Sequence, residues 1–155
     1  MNARRQWRWV AGLILAGIAI LHIGHPTYGL RGLFIYAQAG TPLIDPRPLA
    51  FTLSGLGILL GLIAVHLGVI SLRRGYIAGY LVLGMYLLGY IAWHVTGHGG
   101  FWPGLEPRSH HGHPITVLID HLAADHWERM TKFLELLGLL VLGYLVIKDE
   151  YLTGQ

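Results

Sequence analysis

The stretch that decides the fold occupies residues 49–72 and reads LAFTLSGLGILLGLIAVHLGVISL. It contains no Asp, Glu, Lys or Arg, and its one ionisable side chain is His66. An apolar run longer than about 18 residues is typical of a helix that crosses a bilayer. The whole chain agrees, because hydrophobic residues make up 54% and charged residues only 12%, about half the usual charged share. The sequence therefore predicts an integral membrane protein.

Three further apolar runs predict three more spans, at about residues 9–24, 76–94 and 130–147. The fold class expected is all-α: a single four-helix transmembrane bundle over residues 1–155, with outer loops at 25–48 and 95–129. Within the first loop, the apolar residues 29–40 are too few to span a bilayer and predict an interfacial segment. Within the second loop, apolar residues recur at helical spacing over 115–128. This pattern predicts either a separate surface helix or the first turns of the fourth span.

The charges near the first span predict the orientation. Arg4, Arg5 and Arg8 precede that span, and positive residues stay on the cytoplasmic side. We interpret the first span as a retained signal anchor in the cell membrane. Four spans then place both termini in the cytoplasm and both long loops outside.

This topology gathers nine of the ten histidines on the outer side, although they come from distant parts of the chain. We name this group, with the loops that carry it, the outer cap. Its histidines are His22, His25, His94, His98, His110, His111, His113, His121 and His126.

The spacing of these histidines predicts a metal site. His94 and His98 are four residues apart, as are His121 and Asp125, and such pairs share one face of a helix. His22 and His25, three residues apart, have the same property. All nine histidines and Asp125 are therefore candidate ligands. Neutral imidazole binds copper, zinc and iron, and the chain has no cysteine to offer a thiolate.

The interpretation favoured is a membrane protein with an extracytoplasmic histidine-rich site for Cu, Zn or Fe, acting as an accessory subunit of a membrane complex. One alternative is a redox subunit with haem b or non-haem iron, in which His22 or His25 pairs with His94 or His98 as axial ligands. A second alternative is a purely structural small subunit. A third is a solvated cap whose histidines gain charge near pH 6 and sense pH.

The partners expected are the lipid bilayer and either other membrane subunits or further copies of the chain. The net charge of +3 is small and the basic residues do not line one face, so no nucleic-acid partner is expected. The HExxH, Gly-x-Ser-x-Gly and P-loop patterns are all lacking, which leans against an enzyme.

Two ionisable residues lie inside predicted spans. We expect the His66 side chain to be neutral and hydrogen-bonded to a tyrosine or a backbone carbonyl of a neighbouring helix. A carboxylate at Glu135 is costly in a bilayer unless it is paired. We expect it to pair with Lys132 or Arg129, or to face the outer cap as a ligand.

Overall fold

The computed structural model describes residues 3–107 and 112–153 of the chain. Helix makes up 77% of the structure, and the described residues include no strand. Six helices occur in these residues: α1 (Ala3–Gly24), α2 (Leu30–Gln38), α3 (Arg47–His66), α4 (Leu72–Val95), α5 (Pro114–Ala124) and α6 (His126–Thr153). The all-α fold class expected from the sequence is confirmed.

Four of the six helices are long and apolar enough to cross a membrane: α1, α3, α4 and α6. Large apolar side chains on their outer faces are exposed, as at Leu13 and Leu60, which are 69% and 65% exposed. Hydrocarbon is the solvent in which such exposure has no penalty. The structure therefore supports a membrane location for a four-helix bundle.

The connection between α3 and α4 differs from the expectation that residues 49–72 form one helix. Helix α3 ends at His66 and α4 begins at Leu72. Gly68 adopts φ +74°, a left-handed conformation that favours glycine and ends helices. The Ser71 hydroxyl then accepts a hydrogen bond from Arg74 N and starts α4. As a result, His66 lies exposed at a helix end, so the expectation that it bonds a neighbouring helix inside a span was wrong.

The two short helices lie where apolar segments too short to span were expected. Helix α2 falls within residues 29–40, and α5 is separate from α6. The break comes at Asp125, which is extended (φ −106°, ψ 112°). Its carboxylate accepts hydrogen bonds from the backbone N–H groups of Trp127 and Glu128, which is how an N-cap residue starts a helix.

Helix α1 lies at the centre of the packing, between α3 and α6, and α6 also packs along α4. The buried core between them contains Ile18, Leu83, Leu142 and Leu145. Gly138 allows the close approach of α6 to α4, because a Cβ atom there would lie 2.6 Å from the side chain of Leu83. Helices α3 and α4 make much less contact with each other, so a groove remains between them.

Candidate metal site

Three imidazoles converge at the end of the bundle where α4 finishes. His94 lies in the last turn of α4, His98 in the turn that follows, and His121 on α5. One nitrogen from each ring lies within 4.8 Å of the nitrogens of the other two. His94 is buried and the other two are half-buried. Among the described residues, these three form the group with the geometry to hold a metal ion.

The turn after α4 brings His98 back to His94. Helix α4 ends at Val95, so the two histidines do not share a continuous helix face as expected. Instead, Gly97, His98 and Gly99 have φ values of +73°, +59° and +84°. Gly99 N donates to Trp93 O over 3.0 Å, which closes the turn. The His94–His98 ring centroids are 5.0 Å apart, so the pairing was right but its helical basis was wrong.

Backbone carbonyls fix which nitrogen of two rings is available for a metal. His94 Nδ1 lies 2.9 Å from Tyr90 O, and His121 Nδ1 lies 2.8 Å from Val117 O. A carbonyl oxygen only accepts hydrogen bonds, so Nδ1 carries the proton in both rings. In this tautomer the lone pair of each ring lies on Nε2, which is the nitrogen that a metal would bind. This second hydrogen bond is the usual way in which a protein orients a metal-binding histidine.

The distance between His98 Nε2 and His121 Nε2 is 2.9 Å. His121 Nε2 carries a lone pair, so at this distance either His98 Nε2 donates a hydrogen bond to it or a metal ion binds both nitrogens. Two nitrogens bound to one tetrahedral zinc at about 2.0–2.1 Å would lie about 3.3 Å apart. The His98–His121 separation is thus close to that of two ligands of one ion, and the ligand nitrogen of His94 lies within 4.8 Å of both.

A polar cavity of about 680 Å³ adjoins the three histidines. Its wall includes the carboxylates of Glu106, Asp125 and Glu128. Tyr90 donates its hydroxyl hydrogen to Glu128 over 3.2 Å. A carboxylate so close to a three-histidine group can serve as a fourth ligand or bind a metal-bound water.

His22, a second candidate ligand, lies deeper and belongs to a different cluster. It is 2% exposed, with Nδ1 3.1 Å from Ser54 Oγ and Nε2 3.1 Å from Glu135 Oε1. Lys132 Nζ binds the other oxygen of Glu135 over 2.6 Å. Both nitrogens of His22 are engaged, so the structure does not bring it to the three converging histidines. The expected pairing of Glu135 with Lys132 is confirmed, whereas its contact with His22 was not predicted.

His25 follows the end of α1 and uses its ring to shape the next loop. Its Nδ1 accepts hydrogen bonds from Thr27 N and Tyr28 N, over 3.2 and 3.0 Å. Burial lowers the pKa of His25, so the ring is neutral and its proton lies on Nε2. Burial likewise raises the pKa of the neighbouring Tyr28. His25 lines the same polar cavity as the three histidines but presents a donor rather than a lone pair.

The other predicted ligands have local roles or lie outside the described residues. Asp125 starts α6, as described above. His113 is exposed, and its Nδ1 accepts from Ile115 N at the start of α5. His126 is exposed and contacts the guanidinium of Arg129. His110 and His111 lie outside the described residues.

The sequence analysis missed the groups that orient the three histidines. Tyr90 precedes His94 by four residues and Val117 precedes His121 by four, so each carbonyl follows from helical geometry once the helix is known. It also missed Arg47, which binds Asp45 through two nitrogens. The Arg47 guanidinium lies 3.9 Å from the ring centroid of Tyr28 and 4.5 Å from that of Trp93. This stack connects the start of α3 to the end of α4.

No protein family, no curated protein and no solved structure matches this chain. The function therefore has to be argued from the geometry of the site.

Proposed function

We propose that this chain is a multi-pass membrane protein that holds one transition-metal ion on His94, His98 and His121, as an accessory subunit of a membrane complex. The observation that carries the proposal is the convergence of the three imidazoles within 4.8 Å. Two of them are oriented by backbone carbonyls at Nδ1, so Nε2 is the nitrogen with which each would bind the ion.

The ligand set restricts the metal to a few ions. Three imidazoles with a carboxylate nearby suit Zn(II), Cu(II) or non-haem Fe(II), and the chain offers no thiolate to favour Cu(I). Haem b fits less well, because His22 binds Glu135 and His25 Nδ1 binds the backbone. Neither is then available as the axial partner of His94 or His98.

The test is the metal content of the purified full-length protein, measured by mass spectrometry after loading with each metal and desalting. The wild type should bind about one ion per chain, and His94→Ala, His98→Ala and His121→Ala should each lose most of it. His113→Ala and His126→Ala are matched controls, since both histidines are exposed and outside the group. Equal metal content in all six proteins would overturn the site.

We place this site on the extracytoplasmic face, with both termini in the cytoplasm, because Arg4, Arg5 and Arg8 lie in the first turns of α1, before its apolar part. Single cysteines test this readily in a chain that has none. A cysteine at Val69, between α3 and α4, should be reached by a membrane-impermeant maleimide only after the cells are opened. A cysteine at Leu43, between α2 and α3, should be labelled on intact cells. The reverse pattern would invert the orientation.

A partnership with other membrane subunits, or with further copies of this chain, stays a prediction. It draws on the exposed apolar helix faces and on the glycines of α3 and α4. Co-purification from membranes under mild detergent would identify such a partner.

A further inference from the structure

Three neighbouring cavities lie along the bundle between α3 and α4, and the last of them adjoins the three histidines; we refer to them together as the α3/α4 groove. Its deeper part has a volume of about 430 Å³ and is walled by apolar side chains and glycines. The next part, of about 330 Å³, shares Ser54, Met85 and Tyr86 with it. That part in turn shares Tyr28, Trp93 and His94 with the polar cavity. These volumes lie in the range of small-molecule sites, about 300–1,000 Å³.

The deeper groove has room that the protein itself does not fill. A Cβ atom at Gly12, Gly57 or Gly61 would meet nothing within 4 Å, and all three line this part. A spanning helix of a partner, about 10 Å across with its side chains, is too wide for cavities of this size. One flexible hydrocarbon chain has the right cross-section and the right polarity.

The polar end holds hydrogen-bond donors that lack an acceptor. His25 Nε2 and Trp93 Nε1 are buried without a hydrogen-bond partner among the described residues. Their side chains belong to residues only 5% and 9% exposed, and both line the polar cavity. A buried donor without an acceptor costs about 1–3 kcal/mol, so these groups indicate a ligand with oxygen acceptors.

Charge at the polar end is mixed, and the proposed metal ion decides the balance. Arg47 lines both the middle part and the polar cavity, and Asp45 binds its guanidinium. The wall of the polar cavity also carries the carboxylates of Glu106, Asp125 and Glu128. Asp125 accepts from two backbone N–H groups and Glu128 from the hydroxyl of Tyr90. The proposed metal ion adds the positive charge that an acidic head needs beside the three histidines.

From these observations we propose that the α3/α4 groove binds a long-chain fatty acid, with its hydrocarbon chain against Gly57 and Gly61 and its carboxylate in the polar cavity beside the three histidines. The placement of the carboxylate beside a metal rests on the proposed function. The placement of the hydrocarbon chain against the two glycines does not rest on it.

The test is the binding of tritiated palmitic acid to the full-length protein in detergent, measured by scintillation proximity. Gly57→Leu with Gly61→Leu should weaken binding by at least about tenfold, because two leucine side chains occupy the space of the chain. Gly61→Leu alone should give a smaller loss. Gly84→Leu is the matched control: a Cβ atom there also meets nothing within 4 Å, but Gly84 does not line the groove. It should bind like the wild type.

The position of the fatty acid's carboxylate is tested separately from that of its hydrocarbon chain. Wild-type protein loaded with metal should prefer palmitic acid to methyl palmitate, and His94→Ala with His98→Ala should lose that preference while still binding both. If no variant affects metal content but the groove leucines still abolish binding, the proposed metal site fails and the groove stands. If palmitic acid does not bind, or binds equally with Gly57→Leu and Gly61→Leu, the groove proposal is overturned. A fall in oligomeric mass with those leucines would overturn it as well, in favour of a second copy.

Discussion

At the scale of single residues, the second nitrogen of each imidazole decides what that histidine does. His94 and His121 donate Nδ1–H to a carbonyl and turn a lone pair toward their neighbours. His25 accepts at Nδ1 and is left with a proton on Nε2. His22 uses both nitrogens in the interior of the bundle. A sequence shows that these residues are histidines, but it does not show which partner each ring meets.

His98, one of the three proposed ligands, has a strained backbone, since its φ is +59° and it is not glycine. A left-handed conformation costs an L-residue about 1–2 kcal/mol. We expect His98→Gly and His98→Ala both to lose metal. With chelator present, however, His98→Gly should be more stable than His98→Ala by about 1 kcal/mol. Unfolding of the two variants in detergent measures the difference, and equal stabilities would show that the turn is not strained.

His25 should make stability depend on pH. Burial lowers its pKa from the ordinary 6.5. Below pH 6.5 the imidazole is therefore protonated in the unfolded chain but stays neutral in the folded protein. The free energy of unfolding should therefore fall as pH decreases from 6.5 toward the lowered pKa, and should not change above 6.5 on account of this residue. His25→Asn keeps an acceptor for Thr27 N and Tyr28 N but does not titrate. The thermal midpoint of the wild type should therefore fall relative to that of His25→Asn as pH decreases below 6.5, and parallel profiles would refute the assignment.

At the scale of helices, close packing depends on a few glycines with little room. At Gly55, a Cβ atom would lie 2.9 Å from Ala19 O and 2.6 Å from a side-chain carbon of Ile23. Gly55→Ala should therefore force α3 away from α1 and cost about 1–3 kcal/mol. Gly57→Ala, two residues along the same helix and facing open space, should be neutral or slightly stabilising. Reversible unfolding in mixed detergent compares the two, and similar effects would contradict the observed packing.

The interior of the bundle connects α1 and α6 through a buried charge. Glu135 is 0% exposed and binds both His22 and Lys132. Glu135→Ala would leave the Lys132 ammonium without its partner, and we expect a loss of about 3–5 kcal/mol. Glu135→Gln retains hydrogen-bonding capacity and should lose less. Leu136→Ala, at an exposed neighbour (52% exposed), is the control, and an equal loss there would show that the buried pair is not a stabilising contact.

The helices themselves could be predicted, because hydropathy and length are local properties of a sequence. All four spans followed from apolar runs. The turns could not, since the left-handed residues at Gly68 and at 97–99 depend on contacts made after folding. The same limit applies to the site. Grouping His94, His98 and His121 required only the topology, but excluding His22 required the rotation of α1 against α6, which no spacing in the chain encodes.

At the scale of the whole molecule, the fold places a polar site at one end of an apolar bundle and joins it to the membrane interior. Helix α4 supplies one histidine and the turn a second. Helix α5 is held against α4 and α6 and brings the third. The cavities between α3 and α4 extend from that site along the apolar helices. The central claim is that three imidazoles from separate segments bind one ion.

X-ray absorption spectroscopy of the metal-loaded protein tests this claim most directly. We predict one ion per chain with about three imidazole nitrogens at about 2.0–2.1 Å. The multiple-scattering signal of the rings should fall to about two imidazoles in His121→Ala, if that variant still retains metal, and stay unchanged in His126→Ala. A coordination shell of oxygens without imidazole scattering, or one that His121→Ala leaves intact, would contradict the account.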